Sequence, residues 1–142
     1  MAYSTLTDIE KSLPQDIIIQ LTDDTNSGLV DSSVVDEAIA WADDVIDNHV
    51  RGKYPVPLNP VPDIIKKISV DLSIYFLYNR RFETDIPDGI LTRYKNTMAM
   101  LDKIQKGQIL LAVDTTNKNT SEIRVNKTSD DREFGADTWE KY

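Results

Sequence analysis

The chain offers few groups that could do chemistry. The densest is Asp23-Asp24-Thr25-Asn26-Ser27-Gly28-Leu29-Val30-Asp31. With Gly28 in the sixth position of a calcium loop, Asp23 is first, Ser27 fifth, Asp31 ninth and Val30 the apolar eighth. Such a loop closes on a bidentate Glu at the twelfth position. Val34 stands there, and Thr25 is a poor third ligand. A turn followed by a helix cap is the better reading of Asp23, Ser27 and Asp31. His49 is the one histidine. It falls on the apolar side of its helix and has no partner motif for proton transfer. Asp43, Asp44 and Asp47 have the types for metal or acid–base work, but three acids on one helix read as a solvated face. Nucleophile elbow, phosphate loop and dinucleotide fingerprint are all missing. We therefore expect no enzyme, no metal and no cofactor.

Basic and aromatic residues point to binding instead. Lys66-Lys67 opens a helix and Arg80-Arg81 ends it. Cations at a helix C-terminus complement its dipole, and they also suit an acidic partner or DNA. Phe134, Trp139 and Tyr142 stand isolated among charges near the C-terminus. Aromatics in a polar tail become anchors when the tail docks.

Hydrophobic spacing identifies the elements that position these residues. Thr7-Asp8-Ile9-Glu10 fits a capping box for a short first helix. Pro14 to Leu21 reads as a short buried helix despite its β-branched Ile17-Ile18-Ile19. Asp31, Ser32 or Ser33 caps a long helix with apolar positions at Val34, Val35, Ala38, Ile39, Ala42, Val45, Ile46 and Val50. Trp41 lies off that stripe and should meet another element. Gly52 is the expected stop. Pro55, Pro57, Pro60 and Pro62 make an extended connector. A central helix from Pro62-Asp63 to about Arg81 follows, then a last helix from about Gly89 to Lys106, stopped by Gly107. Ile109 to Val113 is expected to be a strand or extended edge. The fold class is mainly α, a small bundle of about four to five helices with an extended or flexible C-terminal arm.

Composition sets the domain limits. The chain has 142 residues, 24 acids against 16 bases, and no cysteine. No disulfide frame, zinc cluster or thiol nucleophile follows from that. The opening residues lack a secretory pattern and no long apolar run exists, so a soluble intracellular protein is expected. Residues 1–62 carry 11 acids and 3 bases, whereas residues 63–113 carry 6 and 8. Such unlike halves could meet between subunits. After Val113 only Ile123, Val125, Phe134, Ala136, Trp139 and Tyr142 are apolar or aromatic. The folded domain is therefore expected at 1–113 and a polar arm at 114–142.

One segment is more specific. Gly52-Lys53-Tyr54-Pro55-Val56-Pro57-Leu58, then Pro60-Val61-Pro62 and a helix carrying Asp71, Tyr75 and Tyr78 to Arg81, resembles a Mu-type phage and prophage head–tail joining family. Met1-Ala2-Tyr3, the Thr7 to Glu10 helix and Ile19 to Asp23 fit the same pattern. Gly52, Tyr54, Pro55, Pro57 and Leu58 are the motif residues. The resemblance covers about 1–113, and departs in the reduced Asp loop and the polar arm. It implies a helical adaptor or head-completion subunit of the virion neck, made in the bacterial cytoplasm. Its partners would be other copies in a ring, the portal protein and a tail-completion protein. DNA would be passing cargo and no membrane would be involved. The alternative is a small DNA-binding regulator using Lys66, Lys67, Arg80 and Arg81.

Overall fold

A computed structural model describes residues 2–113. Five helices occur among them and no strand: α1 (Leu6–Glu10), α2 (Gln15–Thr22), α3 (Ser32–Val50), α4 (Asp63–Asn79) and α5 (Asp88–Gln105). The mainly α class is as expected. Phe134, Trp139 and Tyr142, with the whole of 114–142, lie outside the described residues.

The caps show why the helices begin where they do. The capping box of α1 sits two residues earlier than expected. Thr5 accepts from the Asp8 N–H, and the Asp8 carboxylate accepts from the Thr5 N–H. That register buries Ile9 completely and leaves Thr7 on the surface. Pro14, Pro62 and Pro87 stand one residue before α2, α4 and α5, where a missing N–H costs nothing. Asp31 caps α3 by accepting from the Ser33 N–H at 3.0 Å.

The stops differ from one another. Gly107 has φ +77, and the N–H groups of Gly107 and Gln108 donate to the carbonyls of Ile104 and Lys103. This is a Schellman ending, which glycine permits. Gly52 does not play that part. The turn after α3 stays right-handed at Arg51, and the Lys53 and Tyr54 N–H groups both donate to the Val50 carbonyl at 2.9 Å.

Two apolar cores lie along an α3–α4 spine. Val34, Val35, Ala38 and Ile39 pack with Ile9, Ile18, Leu21 and the Val70–Tyr78 end of α4. Ala42, Ile46 and Val50 pack with Ile65, Ile68, Leu72, Leu101, Ile104 and the loop residues Tyr54 and Leu58. The pairing of opposite ends makes α3 and α4 antiparallel, and α4 touches all four other helices. Trp41 meets Phe76 at 5.3 Å and links the two cores, which explains its place off the stripe. Tyr75 stacks on Tyr94 at 3.8 Å and joins α4 to α5.

Two expectations need correction. Ile109 to Val113 forms no strand, because no second strand lies beside it among the described residues. Its Leu111 is buried, and the Leu111 N–H is satisfied by a side chain instead. The proline connector bends at several residues rather than running straight, since Tyr54 and Leu58 must turn inward to the core.

Candidate functional site

The motif segment is built around two tyrosines. Leu58 and Tyr54 are buried, while Gly52, Pro55 and Pro57 remain on the surface. The Leu58 N–H donates to the Tyr3 hydroxyl at 2.9 Å, and that hydroxyl donates to the Asp47 carboxylate on α3. The Tyr54 hydroxyl accepts the Leu111 N–H at 2.9 Å. One tyrosine therefore pins the connector to α3, and the other pins the segment after α5 to the connector. These loop N–H groups have no helix partner, so the hydroxyls meet a real need.

Tyr3 also anchors the chain ahead of α1. Its N–H donates to both Asp43 carboxylate oxygens at 3.3 Å. Ser69 donates to Asp43 at 3.2 Å, and Ser4 and Ser69 share a 2.8 Å hydrogen bond. Burial pushes the Asp43 carboxyl up to about 6, against the hydrogen bonds from Tyr3 and Ser69. Burial, with the Asp47 hydrogen bond, also raises the Tyr3 phenol. Of Asp43, Asp44 and Asp47, only Asp44 is fully on the surface; Asp43 and Asp47 are half-buried structural acceptors. The solvated-face reading is corrected for those two. Sequence periodicity could not show this, because the partner Tyr3 lies 40 or more residues away. A signal was present in Tyr3 as an isolated aromatic ahead of a capped helix.

The Asp23–Asp31 loop folds onto its own backbone. The Asp23 carboxylate accepts the N–H groups of Thr25, Ser27 and Gly28 at 3.2, 3.0 and 2.7 Å, and the hydroxyls of Thr25 and Ser27. The Ser27 and Gly28 N–H groups hold this carboxyl below the usual range. Asn26 (φ 57) and Gly28 (φ 75) supply the left-handed turns. Asp31 is engaged by Ser33. Asp23 and Ser27 thus form a turn and Asp31 a helix cap, the reading preferred from the sequence. Among the described residues no three His, Asp or Glu side chains are placed to hold a metal.

Arg80 and Arg81 close on this loop. Asp24 takes Arg80 at 2.7 Å and Arg81 at 2.8 Å, and the guanidiniums also reach the Leu21 and Asp23 carbonyls. The Arg80 hydrogen bond holds the Asp24 carboxyl low. The arginine pair is therefore engaged within the chain. Just beyond it, Phe82 is fully exposed, and Leu29 on the facing loop is 70% exposed. His49 packs at the other end of α3. Its Nδ1 lies 2.7 Å from the Val45 carbonyl, and its Nε2 is 3.9 Å from Asp102.

Two clefts of opposite character flank α1. One, of about 620 Å³, lies between α1, α4 and α5 and has Lys11, Lys66, Lys67 and Arg93 in its walls. Lys11 and Lys66 both reach Asp8 at 3.4 Å. Asp63 and Asp71 interleave with the cations. The other, of about 610 Å³, lies between the Ala2–Leu6 stretch and α3 and carries Asp36, Asp43, Asp44 and Asp47 without a basic residue. All the cations of the two clefts thus lie on one side of α1, and the other side carries carboxylates alone.

With this geometry in place, three likenesses bear on the site. The family model described as Bacteriophage Mu, Gp36 matches residues 3–129. A Haemophilus influenzae protein named Mu-like prophage FluMu protein gp36 is 30% identical over 84 residues, covering 59% of this chain and 57% of that protein. Gene product J of Escherichia phage Mu is 25% identical over 109 residues, covering 76% of this chain and 74% of that protein. The chain thus spans just over half of the first relative and about three quarters of the second.

Proposed function

We propose, since the chain belongs to the Bacteriophage Mu, Gp36 family, that it is a structural protein of the phage or prophage head–tail junction. It acts as a ring-forming adaptor or head-completion subunit between the portal protein and a tail-completion protein. It works by binding rather than catalysis, in the virion neck after assembly in the bacterial cytoplasm, with DNA only as passing cargo.

The observation that carries this reading is the family match over 3–129, which takes in both tyrosine-latched loops and all five helices. The separated acidic and basic clefts support it, because a cyclic assembly needs two unlike faces on each subunit. A DNA-binding regulator draws less support. Arg80 and Arg81 close on Asp24, and Lys66 shares Asp8 with Lys11. No helix among the described residues is long and apolar enough to cross a membrane.

The test is deletion of the gene from an inducible prophage that carries it. Electron microscopy of the lysate should show DNA-filled heads and free tails. Normal tailed particles would refute the reading. Purified chain should also be captured by the portal protein, and a gel shift on duplex DNA with a steep salt slope would favour the regulator.

A further inference from the structure

The cationic cleft has chemistry that selects its occupant. Its lining is partly apolar: Met100 is half-buried there, with Ile68 and Val70 buried beneath. Lys67 and Arg93 stand in its walls beside Asp71, and neither lies within ion-pair distance of a carboxylate among the described residues. Carboxylates of Asp8, Asp63 and Asp71 break the cationic surface into separate positions. A nucleic-acid backbone presents evenly spaced phosphates and would meet those carboxylates. A protein surface with a few spaced acids and a small apolar contact suits the cleft better.

That surface is present on this chain. The α3 wall of the acidic cleft carries Asp36 and Asp44 on the surface, with the small Ala40 between them, Asp47 beside them and the exposed Glu37 next to Asp36. From Asp36 to Asp47 the helix advances roughly 16 Å. No basic residue among those described forms an ion pair with any of them. Ala40 leaves room for close approach, and the acids around it can reach cations on both walls of a cleft.

We propose that the α1–α4–α5 cleft of one copy receives the acidic face of α3 from a second copy. This rests on the reading of the chain as a self-assembling adaptor and names the contact. Each subunit carries both surfaces at different places, so the contact is heterologous and propagates from copy to copy. Opposite charge sets its register, and Met100 offers the small apolar contact for Ala40.

Sedimentation of the full chain tests this. At about 50 mM salt the wild type should associate, and about 500 mM salt should dissociate it. Lys67→Glu with Arg93→Glu should weaken association by about tenfold or more, and Asp36→Lys with Asp44→Lys should do the same. Combining all four changes in one chain should restore association, which a misfolded variant cannot do. A wild type still monomeric at about 1 mM in low salt would overturn the contact. So would either reversal leaving association unchanged, or the combined chain failing to recover it. Portal capture measured alongside separates the two claims: a monomer that the portal still captures removes this contact and leaves the adaptor. Duplex DNA binding by the wild type that Lys67→Glu and Arg93→Glu abolish would assign the cleft to nucleic acid.

Discussion

The two ends of the α3–α4 spine hold their loops by different physics. At one end the 23–31 loop and the segment after α4 are clasped by charges at the surface, through Asp24, Arg80 and Arg81. At the other the proline connector and the segment after α5 are latched by tyrosine hydroxyls inside the core. Exposed ion pairs gain little, because water and salt compete for both partners. A buried hydroxyl that satisfies a backbone N–H has no such competitor, and losing it leaves the donor stranded. The clasped end also carries the exposed Leu29 and Phe82, whereas the motif residues Tyr54 and Leu58 of the latched end are buried. The latched end should be the rigid one, and the clasped end the one that yields first.

The largest effect should come from the latched loop. Leu58 is fully buried in the connector, so Leu58→Ala should cost about 3 kcal/mol in urea unfolding. Leu29→Ala, an apolar truncation in the clasped loop, should stay within about 0.5 kcal/mol. Equal losses at the two positions would erase the distinction.

Next come the hydroxyls themselves. Tyr3→Phe keeps the ring in the core but removes the acceptor of the Leu58 N–H and the donor to Asp47. Tyr54→Phe does the same to the Leu111 N–H. Each should cost about 1–3 kcal/mol. Faster amide exchange should appear at Leu58 in the first and Leu111 in the second, with the 23–31 loop unchanged in both.

Local patterns made much of this visible in advance, and long-range polar contacts did not. The α3 stripe, the capping role of Asp31 and the Gly107 stop follow from neighbours within a turn. Trp41 was legible as an outlier, because a side chain off its stripe must face another element. The register of the capping box is ambiguous in the sequence, since Thr5-x-x-Asp8 and Thr7-x-x-Glu10 offer similar chemistry. Only the burial of Ile9 distinguishes them. Asp43 and Asp47 looked solvated because Tyr3 reaches them from far along the chain. The two clefts were legible only as a charge imbalance between halves, without the α1 boundary that separates them.

Asp43 gives a pH signature to the latched end. Its carboxyl is raised by burial to about 6 from an ordinary 3.8, so the folded state binds the proton more tightly than the unfolded chain. Between those values stability must fall as pH rises, and the cost of the buried charge is complete above pH 6. Asp43→Asn removes that charge. It should stabilise the protein by about 1 kcal/mol above the raised value, a figure reduced for the side chain's partial exposure to water. The gain should vanish below the ordinary value. Melting curves across this range check it, and a gain that grows as pH falls would reverse the assignment.

The smallest effect belongs to the clasp, and its sign with pH is opposite. The Arg80 hydrogen bond holds Asp24 below its ordinary value, so its contribution is present above that value and disappears as pH falls through the depressed one. Asp24→Ala should lower the melting temperature by no more than about 2 °C at neutral pH and low salt. High salt should remove even that difference, because the pair lies at the surface. Exchange in the 23–31 loop should nevertheless quicken, since the Arg80 and Arg81 contacts to the Leu21 and Asp23 carbonyls depend on the guanidiniums staying in place. A clasp that scarcely changes stability but sets the mobility of Leu29 and Phe82 controls a surface, not the fold. A salt-independent loss as large as that of Tyr3→Phe would instead make both ends structural in the same sense.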